Sequence, residues 1–355
     1  MIVRFFGLAR ALAVGALALS FAFPAPVRAD DETLTLVSGA FPTAFPEVIN
    51  AVAQLAGFYK EEGVTVVEQY AGGAATLAVQ IVAAGKGDIG GVGTEPIIQG
   101  YEKGVRLVAF FSRNPHLQQV LGVLDDSPIR TLADFKGATI GQLALGQPGT
   151  IYTGVMLAGA GLKKDDYSFV AIGNGPAAIQ AITTKKVDAV AFPLPEIRTY
   201  EVQAHLKFRL FYQPILKDIS DVSFVASPAV IAAKPEAFKR FCRATVKAAI
   251  LVRENPELAA RYFVEHSGLK VTAEAIATER RLLDISQDML PAIDPASKRI
   301  GEVSLRGMQV LDNFMYDNGM TSIRVPASAI ATNQFIAYAN DFDHQAFIAR
   351  VKAMH

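Results

Sequence analysis

Two stretches spaced 100 positions apart repeat one pattern without a gap. Residues 73–82 read Gly-Ala-Ala-Thr-Leu-Ala-Val-Gln-Ile-Val, and 85–92 read Gly-Lys-Gly-Asp-Ile-Gly-Gly-Val. Residues 173–182 read Gly-Asn-Gly-Pro-Ala-Ala-Ile-Gln-Ala-Ile, and 185–192 read Lys-Lys-Val-Asp-Ala-Val-Ala-Phe. Gly73 falls over Gly173, Ala78 over Ala178, Gln80 over Gln180, Lys86 over Lys186 and Asp88 over Asp188. Each stretch reads as a small-residue loop, a short amphipathic helix, a basic turn and a buried strand. A glycine-rich loop entering a helix leaves the first-turn N–H groups free, with the positive end of the helix dipole behind them. The chain thus builds an acceptor-binding edge twice, and two such units facing each other across a cleft is the organising expectation. Chance likeness between two βα units is the alternative, because Ala, Gly and Val dominate such elements.

Residues 1–29 read as a cleaved export signal. Arg4 and Arg10 stand without an acid, Ala11 to Ala22 is almost wholly apolar, and Val27-Arg28-Ala29 offers small residues at −3 and −1 before Asp30. The apolar run is too short to span a bilayer comfortably, so the expected location of the mature chain is the periplasm. The remaining roughly 325 residues favour about two domains. Lys plus Arg equals Asp plus Glu, at 34 each, so nothing in the charge argues for nucleic acid or an anionic membrane surface. The single cysteine, Cys242, rules out an internal disulfide framework and lies in an apolar-periodic stretch as a small buried hydrophobe.

Along the chain, strands are expected at 33–37, 64–70, 88–92 and 105–111, with helices between them. This order argues for a mostly parallel sheet covered on both faces. Character changes at 120–126. Thr131-Leu132-Ala133-Asp134 forms a capping-box-like helix start. Strands at 139–143, 168–172 and 188–192 then build a second set, closed by a short strand at 207–212. A strand at 222–232 leads back, and the rest is nearly all helix: 235–252, 256–264, 272–283 and 295–318. The expected fold is α/β: two doubly wound lobes joined by a two-crossing hinge, with a helical C-terminal part. Lobe 1 comprises 30–123 plus 223–355, and lobe 2 is the insertion 124–222.

Assembled in this way, the chain resembles the type II periplasmic solute-binding proteins of ABC importers. The branch is the NMT1-like one serving nitrate, taurine, alkanesulfonates and thiamine-pyrimidine precursors. The loop Ser38–Phe45, the run Ala56-Gly57-Phe58-Tyr59-Lys60-Glu61-Glu62-Gly63-Val64, and Gly87-Asp88-Ile89-Gly90 carry the resemblance. So do the run from Leu132 to Gly141 and Val187-Asp188-Ala189. It implies a ligand held between two lobes that close like a hinge, in loops beyond the carboxyl ends of the strands. Carried over by motif, the first lobe offers Ser38, Gly39, Phe41, Gly73, Ala74, Ala75 and Thr94. The second offers Gln147, Gly149, Thr150, Gly175, Phe192 and Glu196. Backbone N–H groups and the Thr94 and Thr150 hydroxyls suit an acceptor-rich ligand, and Phe41 and Phe192 suit a ring or carbon skeleton. Arg113 and Arg198 are the candidate anion partners, or else solvated charges. Glu95 and Glu196 flank the cleft. If either faces inward, an amine or a heterocycle with N–H donors fits better than a dianion.

Rival motifs are weaker. Gly173-x-Gly175-x-x-Ala178 mimics a dinucleotide fingerprint, but Asp188 comes too early and at the beginning of its strand. His116, His205, His266, His344 and His355 form no short ligand pair, and Asp341-x-Asp343-His344 reads as a solvated turn. No Gly-x-Ser-x-Gly elbow or Walker loop occurs. A regulatory effector module would need a DNA-binding helix pair where the export signal stands. The expected function is therefore capture of a small organic or anionic solute (sulfonate, nitrate, carboxylate or pyrimidine-like) for an ABC permease, by a monomer that needs no cofactor or metal and is not an enzyme. The alternative is a periplasmic enzyme of the same fold acting on a pyrimidine or other small heterocycle, although the cysteine-rich motif of the pyrimidine synthase branch is missing.

Overall fold

The repeat persists in the hydrogen bonds. Asp88 accepts the Thr35 N–H at 2.8 Å and donates its own N–H to the Thr35 carbonyl at 2.9 Å. Asp188 makes the same pair of bonds with Thr139, at 2.8 and 2.9 Å. Each aspartate therefore fastens the start of its own strand to the neighbouring strand. In the turn before it, Gly85 and Lys185 both have positive φ, 71° and 56°. Glycine adopts this conformation without a Cβ penalty, whereas lysine does so at some cost.

The computed structural model describes residues 32–355 except 73–74, 118, 144, 146–147, 174, 213–217, 288–289 and 292–298. The expected export signal lies outside the described residues. Strands β1 (Glu32–Ser38), β2 (Val64–Tyr70), β3 (Ile89–Gly93), β4 (Val108–Asn114) and β10 (Val222–Ala226) form one sheet, ordered β2-β1-β3-β10-β4. Strands β5 (Gln119–Leu124), β6 (Thr139–Gln142), β7 (Ser168–Ala171), β8 (Ala189–Pro193) and β9 (Phe208–Phe211) form the second, ordered β7-β6-β8-β5-β9. In the first sheet only β10 runs against the others, and in the second only β5 does. The mostly parallel expectation holds for strand direction, and the fold is α/β with a helical C-terminal part. The reversed strand in each sheet is the one that begins directly after a crossing.

Several boundaries differ from the sequence reading. Strand β4 starts three residues late, at Val108. The strand expected over 222–232 ends at Ala226, because Ser227 caps a helix by accepting the Val230 N–H at 3.2 Å. The last long helix spans Leu305–Asp317 rather than 295–318, and part of the expected segment lies outside the described residues. Strand β5 is hydrogen-bonded in the second sheet from Gln119 onward, so the chain leaves the first sheet ahead of the 123/124 boundary. It returns just before Val222.

The two crossings bond to each other: Leu117 N–H to the Ile219 carbonyl at 3.0 Å, and Asp221 N–H to the Asn114 carbonyl at 2.8 Å. The Leu305–Asp317 helix closes over them. A Cβ at Gly307 would come within 1.6 Å of the Asp218 carbonyl oxygen, so only glycine permits that approach. The first sheet packs against the Val48–Leu55 and Pro235–Glu254 helices, around Phe110, Phe224, Phe238 and Phe241. Cys242 is buried in this core, as expected. Among the described residues no helix is long and apolar enough to cross a membrane.

The paired aspartates give a test of the repeat. Asp88 also holds Lys234 at 2.9 Å, whereas Asp188 is exposed. Asp88→Ala should cost about 2 kcal/mol and Asp188→Ala about 1 kcal/mol in urea unfolding, because the first also removes a charged partner.

Candidate functional site

The parallel strands of both sheets end on the edge where the next helices begin, and the expected site residues gather there. Strand β1 ends at Ser38, whose hydroxyl donates to Glu47 Oε1 at 2.7 Å and accepts the Ala40 N–H. Glu47 is fully buried and also accepts from Asn50 at 2.8 Å, while Arg113 Nη1 lies 3.1 Å from the same Oε1. Arg113 is only 1% exposed, above Gly91. It is not a surface charge: it faces Glu47 as an ion pair, while its Nε and Nη1 are buried without a hydrogen-bond partner. Gly39 donates its N–H to the Gly91 carbonyl at 3.0 Å, and a Cβ there would sit 2.9 Å from Ala75 Cα. This close approach sets the loop against the start of the Ala75–Ala83 helix. Phe41 is 56% exposed beside Gly72.

At the end of β3, the buried Thr94 hydroxyl donates to the Ser220 carbonyl at 2.8 Å. Its proton is thereby committed to the second crossing. Glu95 is buried in the first turn of the Thr94–Glu102 helix and accepts a short hydrogen bond from the Tyr152 hydroxyl. Tyr152 lies on the Pro148–Ala158 helix that follows β6, so this bond joins elements of the two sheets. Burial pushes the Glu95 carboxyl above its usual range, with the Tyr152 bond opposing. Burial and then the charge of Glu95 push Asp221 up to about 7, with Arg113 opposing. Burial also raises Glu196, which occupies the first turn of the Leu194–Ala204 helix after β8. Asp221 thus feels the charges of Glu95, Glu196 and Arg113 together.

On the second sheet, Thr150 donates to Gln142 Oε1 at 2.6 Å, and Gln142 Nε2 is buried without a protein partner. Gly149 leaves room for the buried Gln119 amide, which would lie 3.3 Å from a Cβ there. Gly175 donates its N–H to the Tyr200 hydroxyl at 3.3 Å. Phe192 is 2% exposed and meets Tyr200 edge-on at 5.7 Å, a core contact. Arg198 is partly exposed and pairs with Glu201 at 2.5 Å, one turn along its own helix. Gly73, Ala74 and Gln147 lie outside the described residues. Sequence reasoning missed Tyr152, Asp221, Gln119 and Gln142. Only Gln142, the last residue of a strand before a glycine-containing loop, carried a signal.

Two outcomes follow from the buried acids. Tyr152→Phe leaves Glu95 without its hydroxyl donor and should cost about 1–3 kcal/mol by chemical denaturation. A carboxyl whose folded pKa lies above the unfolded value of about 4 holds a proton that the unfolded chain has released, so stability falls as pH rises. The protein should be less stable at about pH 8 than at about pH 5, and Asp221→Asn should flatten that slope over the range up to about 7.

Comparison with known proteins places this arrangement. The aliphatic sulphonate binding protein SsuA from Escherichia coli superposes with a TM-score of 0.64 and 20% identity, over 84% of this chain and 91% of that one. The alkanesulfonate-binding protein SsuA from Xanthomonas axonopodis, bound to MOPS, gives 0.59 and 18%, over 86% and 99%. A DSZB mutant in complex with biphenyl-2-sulfinic acid gives 0.54 and 16%, over 86% and 98%. At these identities the likeness is one of fold. No curated protein matches the chain in sequence. Residues 48–259 match the family model described as NMT1/THI5 like, and the chain belongs to that family.

Proposed function

We propose that this chain is the periplasmic solute receptor of an ABC importer, exported with removal of residues 1–29. Its two lobes are built on the two sheets, and its ligand sits between them. The observation that carries this reading is the Tyr152–Glu95 hydrogen bond, which links the helix after β6 to the helix after β3 at the edge where both sets of strands end. A solute in that gap would meet Ser38, Gly39, Phe41, the N–H groups at Gly73, Ala74 and Ala75, and Thr94 on one side. On the other it would meet Gln147, Gly149, Thr150, Gly175 and Glu196. Because it touches both lobes, it favours the closed state over the open one, and the closed pair docks to the permease.

The neighbouring acids point to the ligand's chemistry. A sulfonate beside Glu95, Asp221 and Glu196 would be accommodated only while those carboxyls hold their protons and would be repelled as they ionise. A solute with N–H donors or a positive charge, such as an amine or a nitrogen heterocycle, gains hydrogen bonds to the same groups. Asp221, titrating near 7, is also the one observation that favours an enzyme of this fold, since a general base works best near the ambient pH. A cysteine nucleophile does not fit that second reading, because burial holds the Cys242 thiol well above its usual range.

A thermal-shift screen of the mature protein against amines, pyrimidines, sulfonates, nitrate and aromatic acids tests the proposal, with each hit analysed afterwards for chemical change. Basic or N–H-bearing compounds should raise the midpoint in step with concentration over affinity and be returned unaltered. Glu95→Gln combined with Asp221→Asn should weaken their binding roughly tenfold or more. Conversion of a hit to product favours the enzyme. Tight sulfonate binding that the double variant leaves unchanged overturns the ligand class.

A further inference from the structure

Two glutamines share one edge of the second sheet. Gln142 ends β6, and Gln119 begins β5, which runs the opposite way, so both stand where β6 and β8 end. Pro193, the last residue of β8, pairs with Gln119 on the strand between them. Both side chains turn to one face of the sheet, because both meet the first turn of the Pro148–Ala158 helix. Thr150 donates to Gln142 Oε1 at 2.6 Å, and a Cβ on Gly149 would lie 3.3 Å from both Nε2 and Oε1 of Gln119.

Gln119 is 6% exposed and Gln142 2%, yet the Nε2 atom of each is buried without a hydrogen-bond partner among the described residues. A buried amide that forgoes its hydrogen bonds loses more than a made bond contributes, so native proteins rarely leave one idle. The bond from Thr150 occupies Gln142 Oε1 and leaves the Nε2 protons to face elsewhere. The first-turn N–H groups of the helix have no partner within it, and the positive end of the dipole lies behind them. Donors thus converge from β5, β6 and the helix.

An acceptor fits this corner, and the surroundings decide its charge. The amides are neutral, and the ionisable group on the same edge is an acid, Glu196, in the first turn of the helix after β8. An anion would gain the hydrogen bonds but be repelled as Glu196 ionises. A carbonyl oxygen gains the same bonds without that cost, and its two lone pairs let it accept from both amides. We infer that Gln119 and Gln142 determine the specificity of the cleft by binding an uncharged carbonyl oxygen of the solute. With the cleft as the solute site, a reading on which this rests, the ligand narrows to a lactam or carboxamide. Its carbonyl goes to the second lobe and its N–H groups to Glu95 and Asp221.

Cytosine and 4-aminopyrimidine separate the cases, because they share the ring and the amino group. They differ at one ring carbon, which in cytosine is a carbonyl with an N–H beside it. In calorimetric titration of the mature protein, cytosine should bind roughly tenfold or more tightly than 4-aminopyrimidine, which leaves both amides unpaired. Taurine, an amine that carries a sulfonate, should bind more weakly than cytosine. Gln119→Met and Gln142→Met each replace an amide by an apolar chain of similar length. Each should weaken cytosine binding roughly tenfold or more and bring the ratio of the two pyrimidine affinities toward one. Lost packing alone would weaken both pyrimidines alike and leave that ratio standing. Circular dichroism establishes that the variants are folded, and where one is not, the other decides. Equal affinity of the unsubstituted protein for the two pyrimidines overturns the inference, as does tighter binding of taurine. So does a preference for cytosine that the folded variants keep in full. The absence of a cytosine isotherm overturns it too, but leaves the receptor reading in place wherever the thermal-shift screen yields other hits. Only a screen without hits removes both.

Discussion

The strand β10 holds this molecule together. It lies between β3 and β4, runs against both, and follows the last strand of the second sheet, β9. Without it, the backbone groups of β3 and β4 that face it would be buried with no partners, which the interior of a protein does not tolerate. Strand β5 does the same in the second sheet. Each half therefore depends on a strand delivered across the junction, and the two connecting segments are hydrogen-bonded to each other. The site inherits its geometry from this arrangement. Thr94 reaches the Ser220 carbonyl, and Asp221 begins where the second crossing meets the end of β4.

Charge follows from burial. The buried Glu47 carboxylate takes hydrogen bonds from Ser38 and Asn50 and lies 3.1 Å from the Arg113 guanidinium, so a buried charge that would be costly alone is offset. Arg113 opposes the rise at Asp221 but does not overcome burial. The carboxyls of Glu95, Asp221 and Glu196 are pushed toward the protonated form, and the Tyr152 hydroxyl supplies Glu95 with its one side-chain donor.

Local features could be read from the residues. The repeat at 73–92 and 173–192 is carried by nearest-neighbour chemistry: a helix start, a left-handed turn, and an aspartate that caps the adjacent strand. The capping box at Thr131 and Asp134 was equally visible, with the Thr131 N–H 2.8 Å from the Asp134 carboxylate. What escaped is long-range. Nothing in the composition of Val222–Ala226 says that it runs against its neighbours, because pairing direction is decided by where the chain comes from. Phe192 illustrates a different limit. Its strand is buried on both faces, so alternation cannot say which side meets a cleft and which meets Tyr200. Tyr152 and Asp221 acquire their roles only from the docking of one half against the other.

The exchange of strands also imposes an order of assembly. The second sheet is drawn from one unbroken run, Gln119 to Phe211, and can close on its own contacts. The first must wait for Val222–Ala226 and for the Pro235–Glu254 helix that covers it, more than a hundred residues after β4. Chain leaving a ribosome or a translocation pore therefore presents a finished inner module while the amino-terminal strands are still open, and the amino-terminal half matures last although it is made first.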